Sequence, residues 1–153
     1  MNYLRNKIST VNLLSLSIGI VYFAFGILKF FPHLSPAEDL AEKTISKLTF
    51  GLVSGKFALI SLAIMETFIG IAFLFQFKHK VFIQLALFHI VATFLPFIFF
   101  PEITFDISVS SFSIVGQYIV KNIIIIGALL SLRLEYASQQ KLSFQQPKNS
   151  ECD

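Results

Sequence analysis

Residues 81–100 read VFIQLALFHIVATFLPFIFF, a run in which only Gln84, His89 and Thr93 carry polar side chains. A lipid-spanning helix needs about 20 consecutive, mostly apolar residues, so this stretch can cross a bilayer. Outward from it, the runs at roughly 11–32, 57–76 and 114–132 have the same character. Hydrophobic residues make up 55% of the 153-residue chain, the mean hydropathy is +0.74 and only 14% of residues are charged. Soluble domains carry about 25% charged residues, and a domain this apolar has too little polar surface to stay dissolved. The composition predicts an all-α integral membrane four-helix bundle, a single domain over 1–136 embedded in the lipid bilayer.

The net charge of +3 is spread beside and between the apolar runs and forms no basic stripe, which excludes nucleic acid as a partner and points to topology instead. Arg5, Lys7, Lys78, Lys80 and Arg133 fall on one side of a four-span arrangement. On the other side Lys43, Lys47 and Lys56 are diluted by acids, and 101–113 holds no base. Basic residues favour the cytoplasmic face, so both termini are predicted cytoplasmic. The first run is too long for a cleaved signal and lacks a small-x-small site, so it is read as a retained span. Cys152, the lone cysteine, rules out a disulfide framework or a C-x-x-C pair. The polar stretch 137–153, rich in glutamine, is predicted to be a disordered cytoplasmic tail.

Between the first two spans, Ser35-Pro36-Ala37-Glu38 has the pattern of a capping box with proline at the first helical position. Ala37, Leu40, Ala41, Thr44, Ile45 and Leu48 then recur with helical spacing, opposite Glu38, Asp39, Glu42, Lys43 and Lys47. This predicts a short extracytoplasmic amphipathic helix on the membrane surface or over the mouth of the bundle.

Each span carries one group that lipid disfavours: Lys29, Glu66, His89 and Lys121. A charge at the centre of a spanning helix costs roughly 3 kcal/mol, so such residues face a bundle interior, a partner or a cavity. At about 1.5 Å per residue, Lys29 lies about 5 Å below the outer surface, Lys121 and Thr93 roughly 10 Å, Glu66 about 14 Å and His89 about 16 Å. All of them fall in the outer half, although they come from antiparallel spans. The spacing of Gly19, Tyr22, Gly26, Lys29 and His33 is that of one helix face, and the same holds for Ala63, Glu66 and Gly70, for His89, Thr93 and Pro96, and for Gln117, Lys121, Ile124 and Ala128. The glycines on these faces permit close helix approach. Two lysines set against one glutamate leave an excess positive charge that favours an anion or a carbonyl-bearing ligand. A purely structural role, with Glu66 neutralising Lys29 or Lys121, is the competing reading. Haem is disfavoured because His33 and His79 lie far from the depth of His89, and Glu66 with His89 alone makes no metal site.

The runs YFAFGILKFFPH (22–33), SPAEDLAEKTISKLTFG (35–51), ETFIG (66–70), HIVATFLPFIFFPEITF (89–105) and GQYIVKNII (116–124) together resemble the DoxX-like family of small four-helix bacterial membrane proteins. The resemblance covers nearly the whole chain from the first span to the fourth. It implies a bacterial inner-membrane protein connected to quinone-linked oxidation or to resistance against oxidative stress, with no fixed set of catalytic residues. The chain has no flavin motif, paired cysteines or haem ligand pair, so electron transfer requires a quinone or a redox partner subunit to carry the electrons.

The residues thus predict a membrane subunit that binds a quinone or a small anion in the outer half of the bundle, either alone or in a homo-oligomer. Lys29 and Lys121 hold oxygens or negative charge, His89 and Glu66 are the candidate catalytic pair, and Tyr22, Thr93, Gln117 and Asn122 supply hydrogen bonds. A small permease or channel lined by the same residues, or a non-catalytic assembly protein, are the alternatives.

Overall fold

The apolar runs fold as helices because only a backbone that satisfies its own hydrogen bonds is stable in lipid. The structure, a computed structural model, describes residues 2–31, 34–35, 37–77, 79–106 and 111–145, and for 2–10 and 139–145 the backbone alone. Among the described residues, four helical segments are long and apolar enough to cross a membrane: Val11–Leu28, Gly55–Leu74, Lys80–Phe99 and Ile114–Ser138. The molecule is built as a multi-pass membrane protein. Its outward faces carry Leu13, Phe57, Ile64, Phe88 and Ile124 exposed, a surface suited to lipid and not to water.

Helix α1 (Asn2–Leu28) packs along α3 (Gly55–Leu74) through a seam of glycines. A Cβ added at Gly70 would stand 2.5 Å from the Phe23 backbone nitrogen, and one at Gly26 would stand 2.6 Å from that of Thr67. The two backbones therefore touch directly, as the spacing of small residues predicts. After Leu28 the chain winds down in i to i+3 turns, with Lys29, Phe30 and Phe31 donating to Gly26, Ile27 and Leu28.

Helix α2 (Glu38–Leu48) crosses this end of the bundle, with Leu40 and Thr44 buried and Asp39, Lys43 and Lys47 exposed. Its start differs from the expected capping box. The residue before the helix, Ala37, is left-handed at φ 57° and makes no side-chain cap bond, while Ser35 Oγ is buried without a hydrogen-bond partner among the described residues. A capping oxygen must sit next to the first helical N–H groups, and with Ala37 in the cap position Ser35 lies two residues too far back. Pro36 lies outside the described residues, as does His33.

The third span is broken. Helix α4 (Lys80–Ala92) gives way at Thr93 to tight turns ahead of α5 (Pro96–Phe99), because Pro96 has no N–H to return to Ala92. Beyond it, the short α6 (Pro101–Thr104) leads into a two-stranded antiparallel hairpin, β1 (Phe105–Asp106) with β2 (Ser111–Phe112), in register Phe105 to Phe112. Phe97 packs on Phe105 and Phe112 with ring centroids 5.4 and 5.6 Å away. The loop 107–110 lies outside the described residues. The fourth span is also divided, into α7 (Ile114–Val120) and α8 (Asn122–Gln145), with Lys121 at the joint.

Helix α8 runs on to Gln145, into the stretch from Ala137 that the composition predicts as disordered. Once nucleated, a helix extends cheaply through Gln, Lys, Leu and Ser, and no glycine or proline interrupts before Pro147. Residues 146–153 lie outside the described residues. At the end of the bundle away from α2, Val11, Phe73, Ile83, Leu132 and Tyr136 pack in the apolar core, and Ser15 Oγ donates to the Phe73 carbonyl at 3.0 Å.

Candidate ligand-binding site

The polar groups converge where helices end or break. Lys29 follows the last turn of α1, Thr93 caps α4 and Lys121 joins α7 to α8, while Glu66 reaches in from the interior of α3 and His89 from the last turn of α4. Glu66 stands at the centre. Its Oε2 lies 2.6 Å from Lys29 Nζ and its Oε1 lies 3.1 Å from His89 Nε2. The Lys29 and Glu66 side chains are only 9% and 7% exposed, so this ion pair is largely out of contact with solvent.

The chain continues through the histidine. His89 Nδ1 lies 3.3 Å from the Tyr22 hydroxyl, which is 2.9 Å from the Ala86 carbonyl. The Tyr22 hydroxyl donates to the Ala86 carbonyl, and its contact with Nδ1 sets the orientation of the His89 ring. Nε2 in turn faces a carboxylate oxygen, which also accepts, so a proton must lie between Nε2 and Oε1. Glu66 and His89 hold that proton between them. The geometry yields a continuous chain from the Ala86 carbonyl through Tyr22, His89 and Glu66 to Lys29.

This chain forms the polar end of a cavity of about 460 Å³. Leu40, Ala41, Thr44, Ile45 and Leu48 of α2 line it as a roof, and Val21, Leu62, Ile90, Ile119 and Ile125 supply apolar wall from the bundle. Thr93 and Asn122 join across two helices, with Asn122 Nδ2 donating to Thr93 Oγ1 at 3.0 Å, and both line the cavity.

No family model, characterised protein or solved structure matches this chain. What the site does must therefore come from its own chemistry.

Of the residues singled out in the sequence, Tyr22, Lys29, Glu66, His89, Thr93, Lys121 and Asn122 all line the one cavity. Of the two lysines left open as its partner, Glu66 pairs with Lys29, while the Lys121 ammonium lies over two rings, 4.4 Å from the centroid of Tyr118 and 5.5 Å from that of Phe25. One placement differs from expectation. Gln117 is exposed, does not line the cavity and donates to the Phe112 carbonyl at 3.2 Å, because the break at Lys121 ends the face that a straight helix would have continued. Phe25 and Tyr118 were not singled out. Helical spacing marks both, since Phe25 lies three residues after Tyr22 and four before Lys29, and Tyr118 three before Lys121.

Proposed function

We propose that this chain is the membrane subunit of a quinone-linked oxidoreductase or oxidative-stress system, and that its cavity binds a quinone-class ring. The supporting observation is the shape of the polarity: apolar walls, roofed by α2, lead to polar groups, foremost the chain Lys29, Glu66 and His89. Pockets of about 300–1,000 Å³ enclose one small organic molecule, and a few placed polar groups fix its orientation. A quinone has that pattern, an apolar ring and tail with carbonyl oxygens for Lys29 and His89 to meet. Glu66 and His89, holding one proton between them, stand where a ring oxygen can exchange it. Electrons come from a partner subunit, since the chain offers no carrier of its own among its residue types. The resemblance to the DoxX-like family agrees with this reading.

In this reading the site lies in the outer half of a bacterial inner membrane, with α2 on the extracytoplasmic face and both termini cytoplasmic. The opposite half of the bundle is filled by Phe73, Ile83, Leu129 and Leu132, which favours a blind binding site over a path through the membrane. Thermal unfolding of the purified full chain in detergent, with short-chain ubiquinone and naphthoquinone analogues, tests the proposal. Stabilisation of wild type that Glu66→Gln abolishes supports it. A panel that leaves wild type unshifted overturns it.

A further inference from the structure

The cavity has two cationic positions, and they are not equivalent. Lys29 is spent on Glu66 at 2.6 Å. Lys121 lines the cavity but is itself exposed, and among the described residues it has no carboxylate at ion-pair distance, only the ring faces of Tyr118 and Phe25. Phe25 stands between the two, its ring centroid 5.8 Å from Lys29 Nζ and 5.5 Å from Lys121 Nζ. A ring face stabilises an ammonium but leaves its charge uncancelled and its N–H groups without an acceptor. A neutral ligand has nothing to offer that charge, whereas an anionic oxygen beside the ring carbonyl engages it from within the same cavity.

Resting on the quinone reading above, we infer that Lys121, clamped by Tyr118 and Phe25, is the specificity-determining residue of the cavity and selects quinone-class rings that carry an ionised oxygen. The paired end, where Lys29 already has Glu66 as its counter-ion, meets the ring carbonyl. The unpaired end supplies the selectivity. Lysine suits this task, since its compact ammonium on a flexible stem follows a single charged oxygen where a guanidinium fork demands two.

The test uses a matched pair of probes. 2-Hydroxy-3-methyl-1,4-naphthoquinone, at a pH where its hydroxyl is ionised, and 2,3-dimethyl-1,4-naphthoquinone differ by one oxygen anion in place of a methyl group. Equilibrium dialysis of each against the full chain in detergent should show wild type preferring the anion by about tenfold or more, the factor that one hydrogen bond to a charged group is worth. Lys121→Met and Lys121→Gln should close that gap and Lys121→Arg should keep part of it. Equal binding of the two probes to wild type, or a preference that survives in Lys121→Met, overturns the inference while leaving the quinone reading intact. Binding of neither probe overturns both. The wild-type comparison alone decides the charge preference, whatever the folding of any variant.

Discussion

Glu66 Oε2 and Lys29 Nζ meet at 2.6 Å just past the end of α1, so the ion pair ties the interior of one spanning helix to the turn that follows another. Both side chains are nearly removed from solvent, and the second oxygen of Glu66 is occupied by His89 at 3.1 Å. The carboxylate thereby holds three elements, α1, α3 and α4, at the polar end of the cavity.

Glu66→Gln should destabilise the protein by about 3–5 kcal/mol, because it leaves a buried ammonium without its counter-charge. Glu66→Gln combined with Lys29→Met should recover much of that loss. Combination with Lys121→Met should be additive, since Lys121 does not touch Glu66. Melting temperatures of the two cycles in detergent check this, and coupling to Lys121 in place of Lys29 contradicts the pairing.

Tyr22→Phe removes the oxygen that links His89 Nδ1 to the Ala86 carbonyl. His89 Nδ1 loses its partner, at about 1–3 kcal/mol for an unsatisfied group, while the Ala86 carbonyl keeps its helical bond inside α4. The histidine also loses the contact that orients its ring. Nitrogen-15 spectra of labelled histidine should show the His89 signals move, while those of His79, which caps the far end of α4, stay in place.

Gly70→Ala should cost about 1–3 kcal/mol through overpacking, because the new methyl meets the Phe23 backbone and no side chain there can turn aside. Gly127→Ala is the control. Its site in α8 has no atom within 4 Å of the added Cβ, and alanine in a helix gains about 0.5–1 kcal/mol over glycine. Melting temperatures of the two variants should move in opposite directions.

Reporter fusions after Phe50 and after Asp153 should report opposite sides of the membrane. The expectation rests on the basic residues Arg5, Lys7, Lys80 and Arg133, which share one side of a four-span arrangement. Identical readouts from the two fusions contradict the topology.

The four spans were legible because membrane helices announce themselves by length and apolarity, and the convergence of Tyr22, Glu66 and His89 was legible because i, i+3 and i+4 spacing survives in any straight helix. The breaks were harder to read. A turn at Lys121 decides that Asn122 enters the cavity and Gln117 does not, and nothing in the apolar run around it marks the position. The choice of Lys29 over Lys121 as the partner of Glu66 depends on the close approach of α1 and α3. Gly26 and Gly70 permit that approach, but only the packed helices show how near it brings the two chains. The hairpin at Phe105 and Phe112 arises from stacking among Phe97, Phe105 and Phe112, a contact between residues far apart in a phenylalanine-rich chain. The start of α2 misled for a local reason: a left-handed Ala37 moves the helix away from the serine that its sequence pattern offers as a cap.

The glycine seam between α1 and α3 gives the cavity two walls of unequal stiffness. Backbones in contact at Gly26 and Gly70 can neither slide nor part without breaking the seam, so Tyr22, Phe25, Lys29 and Glu66 ride on one stiff beam. Across from them, α7 and the first turn of α8 meet the site through ring faces at Lys121 and a single side-chain bond from Asn122 to Thr93. The packing thus fixes Lys29 against Glu66 more closely than it fixes Lys121 against either of them.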